Sequence, residues 1–115
     1  IIVSPAEEHP MEPHDAWADD MALAEGLERY ARAVTAPVER LLGTWAGLRT
    51  FAPDRTPVAG FDPTAEGFFW LAGQGGYGIQ TSPGLSRLAG ALLTGGVPDA
   101  GLAEAAAALD PARLR

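Results

Sequence analysis

The 115 residues of this chain suffice for one small domain with a modest core. A net charge of −7 makes a nucleic-acid partner unfavourable, and the absence of cysteine excludes disulfides, thiolate metal sites and a cysteine nucleophile. No stretch approaches the ~20 apolar residues needed for a membrane span, and no signal peptide is visible, so we expect a cytoplasmic protein. The hydrophobic share, 47% against 20% charged, is high for a small domain and predicts an apolar partner surface such as a homodimer interface.

The first third of the chain is predicted to hold a strand, an acidic loop and a helix. Residues 1–3 are strand-like, and because no Met precedes them we expect the chain to belong to a longer protein. Residues 4–20 are proline-rich and acidic, and no regular spacing brings His9 and His14 together, so we predict no metal site. Asp19 or Asp20 can cap a helix to about residue 34, whose apolar stripe is Leu23, Leu27, Tyr30 and Val34.

The middle of the chain favours short strands. Residues 38–51 fit a helix or an extended chain, and we favour a strand over 45–51 because Gly43 and Gly47 would weaken a helix. A turn at 53–55, a strand at 56–61 and a turn at 62–67 follow. Residues 68–72 are five apolar residues, three of them aromatic, and predict a buried strand.

The last third is predicted to be helical. Ser82 as cap and Pro83 as first residue indicate a helix over 83–93. Its apolar face would consist of Leu85, Leu88, Ala89, Leu92 and Leu93, and glycines 95 and 96 would end it. Residues 100–109 predict a final helix, which the Asp-Pro pair at 110–111 terminates.

A glycine-dense loop lies between the predicted buried strand and the helix. It contains Gly73, Gly75, Gly76 and Gly78, a spacing that matches the dinucleotide fingerprint G-x-G-x-x-G. A dinucleotide unit needs a second strand after the helix, and no strand signal follows here. A turn without a ligand is the plain alternative. We favour a loop whose bare backbone touches the ring system of a cofactor.

Three segments together carry a family resemblance: W-A-G-L-R at 45–49, T-F-A-P-D-R-T-P-V-A-G at 50–60, and G-F-F-W-L-A-G-Q-G-G-Y-G-I-Q-T-S-P at 67–83. They resemble the C-terminal part of D-amino-acid oxidase-like FAD oxidoreductases, which include glycine oxidases, sarcosine oxidases and D-amino-acid dehydrogenases. The resemblance implies an α+β fragment of a two-domain fold, with short strands plus three helices and without the N-terminal Rossmann βαβ unit. Residues 1–60 would end the substrate-binding domain, and residues 61–115 would supply the C-terminal strand and helices of the FAD-binding domain.

The resemblance also implies a site. Arg49 would grip the carboxylate of an amino acid substrate, and the Gly76 carbonyl would accept a hydrogen bond from its amine. The flavin ring would be lined by Gly75, Gly76, Tyr77, Gly78, Ile79 and Gln80. No side chain is assigned a catalytic role. FAD would be held non-covalently, and because the adenosine site and the N-terminal fingerprint are absent, we expect this chain alone not to retain it.

Each assignment has an alternative. Arg49 could pair with Asp54 or Glu39, and Trp45 and Tyr77 could be pocket walls or core residues. Arg55 could lie near the site or merely complete a turn, and the turn is favoured. The preferred function is part of a flavin-dependent enzyme that oxidises glycine, a D-amino acid or an N-methyl amino acid by hydride transfer to FAD, working with the missing N-terminal part of the same protein. The alternative is a non-catalytic truncated fragment that folds or self-associates without FAD.

Overall fold

The computed structural model describes all residues, 1–115, as two compact units, Ile1–Leu48 and Arg49–Arg115. The boundary predicted near residue 60 separates two domains of the family fold, which is a different division from that into compact units. It stays a prediction. None of the helices is both long and apolar enough to cross a bilayer.

The first unit is organised around one helix, α1, which spans Asp20–Ala33 as predicted. The side chain of Asp19 caps it by accepting a hydrogen bond from the Ala22 N–H at 2.9 Å. Pro5 packs against α1 where Gly26 has no side chain, because a Cβ there would lie 2.8 Å from the Pro5 ring. Two exposed ion pairs, Glu25–Arg29 and Glu28–Arg32, follow the outer face.

Two strands predicted near the first unit are not formed. Residues 1–3 have no ladder partner, and Ile1 and Ile2 are exposed. Within 45–51 only Phe51 pairs, in a single antiparallel bridge to Gln74. A strand forms only where a neighbouring segment offers hydrogen bonds along its length. Residues 1–3 and 45–51 favour the β conformation, but that preference is not sufficient without such a neighbour.

The second unit contains a two-stranded antiparallel sheet. Strand β1, Val58–Phe61, pairs with β2, Phe69–Ala72, in the register Val58↔Ala72 to Phe61↔Phe69. The connection between them is the predicted turn, and Asp62 holds it together. One carboxylate oxygen accepts from the N–H groups of Thr64 and Ala65, and the other accepts from the Trp70 indole N–H at 2.9 Å.

Helix α2, Gly78–Leu93, begins five residues earlier than predicted, and Pro83 lies inside it. A proline has no N–H for the carbonyl four residues back, here that of Ile79. The Ser82 hydroxyl donates to that carbonyl at 2.9 Å, so Ser82 replaces the missing bond instead of capping the helix. The helix ends at Leu93 and, as expected, is followed by Gly95, whose φ of +68° is left-handed, with the Gly96 N–H bonded to the Ala91 carbonyl.

Helix α3, Ala100–Leu109, confirms the last predicted helix, and a 3₁₀ turn, Pro111–Leu114, follows it. The core lies where α2 and α3 cover β1, and its buried members are Val58, Ala59, Leu88 and Ala89. The prediction that residues 68–72 are buried is wrong, since Trp70 and Leu71 are 40% and 48% exposed. In this chain β2 has only β1 beside it. Three helices with a small antiparallel sheet confirm the predicted α+β fragment.

Candidate functional site

An extended segment runs beside the glycine loop in the second unit. Phe51 and Gln74 form an antiparallel bridge, and the Gly75 N–H donates to the Thr50 carbonyl at 3.0 Å. The pairing places residues 49–52 opposite residues 73–76. Two regions about 25 positions apart in the sequence therefore meet at one place, and both carry predicted site residues.

Gly75 permits this close approach. Its φ is +54°, a conformation that side chains disfavour, and a Cβ on it would lie 2.3 Å from Cε1 of Phe51. Gly73 is similar, with a φ of +72° and the Ala52 nitrogen 3.3 Å from the position of a Cβ. Glycine is required at positions 73 and 75 because residues 51–52 lie against them. A phosphate-binding fingerprint would not account for that requirement.

Arg49 lies against Gly76, so the structure brings together the two predicted substrate-binding residues. A Cβ built on Gly76 would lie 3.4 Å from Nη1 of Arg49. The Arg49 guanidinium carbon is 5.7 Å from the centre of the Phe51 ring, within the range of a cation–π contact. A planar cation beside exposed loop backbone is suited to binding a carboxylate.

Phe51 and Arg55 complete this cluster. The sequence left open whether Arg55 lies near the site and gave Phe51 no role. The Arg55 guanidinium carbon lies 5.2 Å from the centre of the same Phe51 ring. Arg55 also closes the predicted turn, with a φ of +61° and its N–H bonded to the Ala52 carbonyl at 2.8 Å. One signal was available: in an extended chain residues 49 and 51 point to the same side.

The turn that carries Arg55 is held by Arg113 of the C-terminal 3₁₀ turn. Its guanidinium donates to both carboxylate oxygens of Asp54, from Nε at 2.8 Å and from Nη2 at 3.3 Å. It also donates to the carbonyls of Thr56, Pro57 and Asp110. The hydrogen bonds from Arg113 hold the pKa of Asp54 below its usual value. Sequence reasoning missed this clamp because its partners lie almost 60 positions apart.

The predicted flavin-lining residues form the loop and the first turn of α2. Tyr77 is the N-cap residue and provides no side-chain cap, and no acidic side chain lies in the first turn. The first N–H groups of the helix, those of Gly78, Ile79 and Gln80, have no acceptor within the helix. Tyr77 and Ile79 are 54% and 95% exposed. This uncapped, open helix start carries partial positive charge and is suited to an electronegative group.

Trp45 and Tyr77 are not core residues, since both are more than half exposed. Trp45 belongs to the first unit and Tyr77 to the second. Their role as pocket walls stays a prediction. No group of three or more His, Asp or Glu side chains is arranged to hold a metal ion.

Comparison with known proteins finds a matching family and a similar curated protein. Residues 1–92 match the family described as FAD dependent oxidoreductase. Over 55 residues the chain is 46% identical to a D-amino acid dehydrogenase of Rhizobium johnstonii (strain DSM 114642 / LMG 32736 / 3841). That stretch covers 48% of this chain and 13% of the relative, so the chain corresponds to a small part of that protein's length.

Proposed function

This chain belongs to the family of FAD-dependent oxidoreductases, and on that premise we propose that it forms part of a site where a flavoenzyme oxidises an amino acid. The observation that carries the proposal is the contact of Arg49 with Gly76, next to the uncapped start of α2. A carboxylate-binding cation, an exposed backbone acceptor and a helix N-terminus then surround one place. These are the groups that an amino acid and a flavin ring require.

Arg49 binds the substrate carboxylate in this proposal. Two parallel charge-assisted hydrogen bonds fix both the position and the plane of a carboxylate. The Gly76 carbonyl accepts from the substrate amine, so the amino acid is held at two points and its Cα–H has one orientation. Orientation of this kind is a large part of what an enzyme contributes when the cofactor performs the chemistry.

Residues 75–80 hold the flavin ring non-covalently. FAD, when bound, supplies the hydride acceptor. The exposed N–H groups of Gly78, Ile79 and Gln80 donate toward the ring, and the partial positive charge of the helix start, about +0.5, stabilises negative charge that develops there. The glycines at 75 and 76 leave backbone without side chains beside the ring.

We take a D-amino acid as the first candidate substrate, because the relative reported above is named a D-amino acid dehydrogenase. Glycine and N-methyl amino acids are the other candidates in the same class. The site would be completed by polypeptide outside these 115 residues, since the aligned stretch is 13% of the relative. A cytoplasmic location remains part of the proposal.

Flavin retention and reduction test the proposal. The protein is expressed with the coding sequence that adjoins residues 1–115, saturated with FAD and desalted. We expect flavin absorbance to be retained and to bleach without oxygen when D-alanine is added, with no bleaching by L-alanine. Failure to retain flavin, both in this protein and in the 115-residue chain, would contradict the proposal and favour the non-catalytic alternative.

A further inference from the structure

The outer edge of strand β2 is the side that faces away from β1. The Asp62 N–H donates to the Phe68 carbonyl at 2.8 Å, and these two residues lie opposite each other when the β1–β2 register is continued by one pair. In an antiparallel ladder, pairs that exchange hydrogen bonds alternate with pairs whose backbone groups point away from each other. The N–H and C=O groups of Phe69 and Leu71 therefore point to the outer edge.

These four backbone groups have no partner in the chain. Strand β1 is the only strand beside β2, and no backbone hydrogen bond outside the ladder involves Phe69 or Leu71. Edge strands of natural proteins are commonly protected by a charged side chain, a proline or a bulge. Residues 68–72 contain neither a charge nor a proline. The edge is therefore open to pairing with another strand.

Apolar side chains on both faces of β2 are exposed beside this edge. Leu71, on one face, is 48% exposed, and Phe68 and Trp70, on the other, are 49% and 40% exposed. The rings of Phe68 and Trp70 are in edge-to-face contact, with their centres 4.8 Å apart. Because residues 68–72 are uncharged, two copies of the chain bring no like charges together here, although each carries a net charge of −7.

A second copy of this chain fits the edge in one register. If two β2 strands pair antiparallel about a twofold axis at Trp70, Phe69 of each copy lies opposite Leu71 of the other, and all the outward groups form hydrogen bonds. A shift of two residues would instead place Phe69 or Leu71 opposite a glycine, Gly73 or Gly67. The φ values of these glycines, +72° and +76°, are left-handed and do not continue a strand.

We propose that the outer edge of β2 is a pairing interface at which a second copy of this chain adds its own β2, so that the two sheets join into one sheet of four strands. The rings of Phe68 and Trp70 then meet their counterparts across the twofold axis, and Leu71 lies beside Phe69 of the other copy. This interface is separate from the residues proposed to bind substrate and flavin, so its test does not depend on flavin binding.

Amide hydrogen exchange of the 115-residue chain, followed by NMR, tests this register. The exchange is compared between a dilute and a concentrated sample whose masses are measured by sedimentation equilibrium. In the concentrated dimer we expect the N–H groups of Phe69 and Leu71 to exchange at least about tenfold more slowly than in the dilute monomer, because they become hydrogen-bonded. The Trp70 N–H, which points to β1, should be protected equally in both samples.

Two variants test whether the edge itself carries the association. Leu71→Lys places a charge on the edge and should raise the dissociation constant of the dimer at least about tenfold. Val97→Lys is the matched control, because it makes the same change of charge at an apolar side chain that is 93% exposed and lies outside β2. This control should leave the dissociation constant unchanged.

Three results would overturn the inference. The first is a monomeric mass at the highest concentration. The second is a dimer in which the N–H groups of Phe69 and Leu71 exchange as fast as in the monomer. The third is an equal effect of Leu71→Lys and Val97→Lys, which would indicate association through apolar surface in general. If Leu71→Lys disrupts the fold, the exchange comparison on the natural sequence decides alone.

Discussion

Gly75 illustrates, at the scale of single residues, how a missing side chain lets two segments meet. Its N–H bonds to Thr50, and the Phe51 ring occupies the place of a Cβ. Arg49 reaches Gly76 only because the two segments lie this close. The resemblance in the sequence predicted site roles for Arg49 and the glycines. The sequence left open whether Arg55 lies near them and did not predict Phe51 as a neighbour, because that contact depends on the pairing of residues 51 and 74.

Gly75→Ala should destabilise the protein by at least about 1–3 kcal/mol, the cost of a non-glycine residue in a left-handed conformation, before any overlap with Phe51 is counted. Gly90→Ala is the control, since Gly90 lies in α2 with nothing within 4 Å of a Cβ. That substitution should stabilise by about 0.5–1 kcal/mol. Urea unfolding measures both changes. A Gly75 variant as stable as the Gly90 variant would contradict the assigned contact.

Asp62 makes the stability depend on pH. The Trp70 indole N–H, followed by donors from Thr64 and Ala65, holds the pKa of Asp62 well below its usual value near 4. A carboxyl group with a lowered folded pKa stabilises the fold above its unfolded pKa, and this contribution is lost as the pH falls through the folded pKa. Asp62→Asn should therefore be less stable than the natural chain at pH 7, with the difference shrinking below about pH 4. The urea midpoints of both proteins across this pH range measure the difference in stability. A difference that stays constant with pH would contradict the role given to Asp62.

At the scale of elements, the sequence predicted helices best where a repeated apolar stripe or a clear end signal exists. Helices α1 and α3 follow such signals. The start of α2 was misjudged because Ser82-Pro83 has the composition of a helix N-terminus, whereas the Ser82 hydroxyl instead serves the Ile79 carbonyl. The burial of β2 was misjudged because burial depends on neighbouring strands, which its own residues do not determine.

The C-terminal 3₁₀ turn is predicted to stabilise the second unit through Arg113. Arg113→Lys keeps the charge but loses the fork that reaches Asp54 and three carbonyls, so we expect a loss of about 1–3 kcal/mol. Arg87→Lys is the control, because the Arg87–Asp99 pair is 69% and 58% exposed. Its change should stay within about 1 kcal/mol. Equal losses of stability for Arg113→Lys and Arg87→Lys in thermal unfolding would show that the hydrogen bonds of Arg113 make no special contribution.

At the scale of the whole molecule, the core is small for the amount of apolar surface. Four apolar residues are buried, while Trp17, Leu42, Trp45, Ile79 and Val97 are each more than 70% exposed. Exposed apolar surface of this extent favours association. We expect the 115-residue chain to self-associate, with a light-scattering mass that rises with concentration. A monomeric mass at high concentration would count against a homodimer.

In the proposed site, Arg49 binds the substrate carboxylate beside the flavin-lining loop. The most direct test of this role is the rate of flavin reduction against D-alanine concentration in the protein expressed with its adjoining coding sequence, compared between Arg49→Gln and Arg40→Gln. We predict that Arg49→Gln raises the half-saturating concentration at least about tenfold, with unchanged flavin content, because a charge-assisted pair is lost. An unchanged concentration dependence in Arg49→Gln would contradict the account.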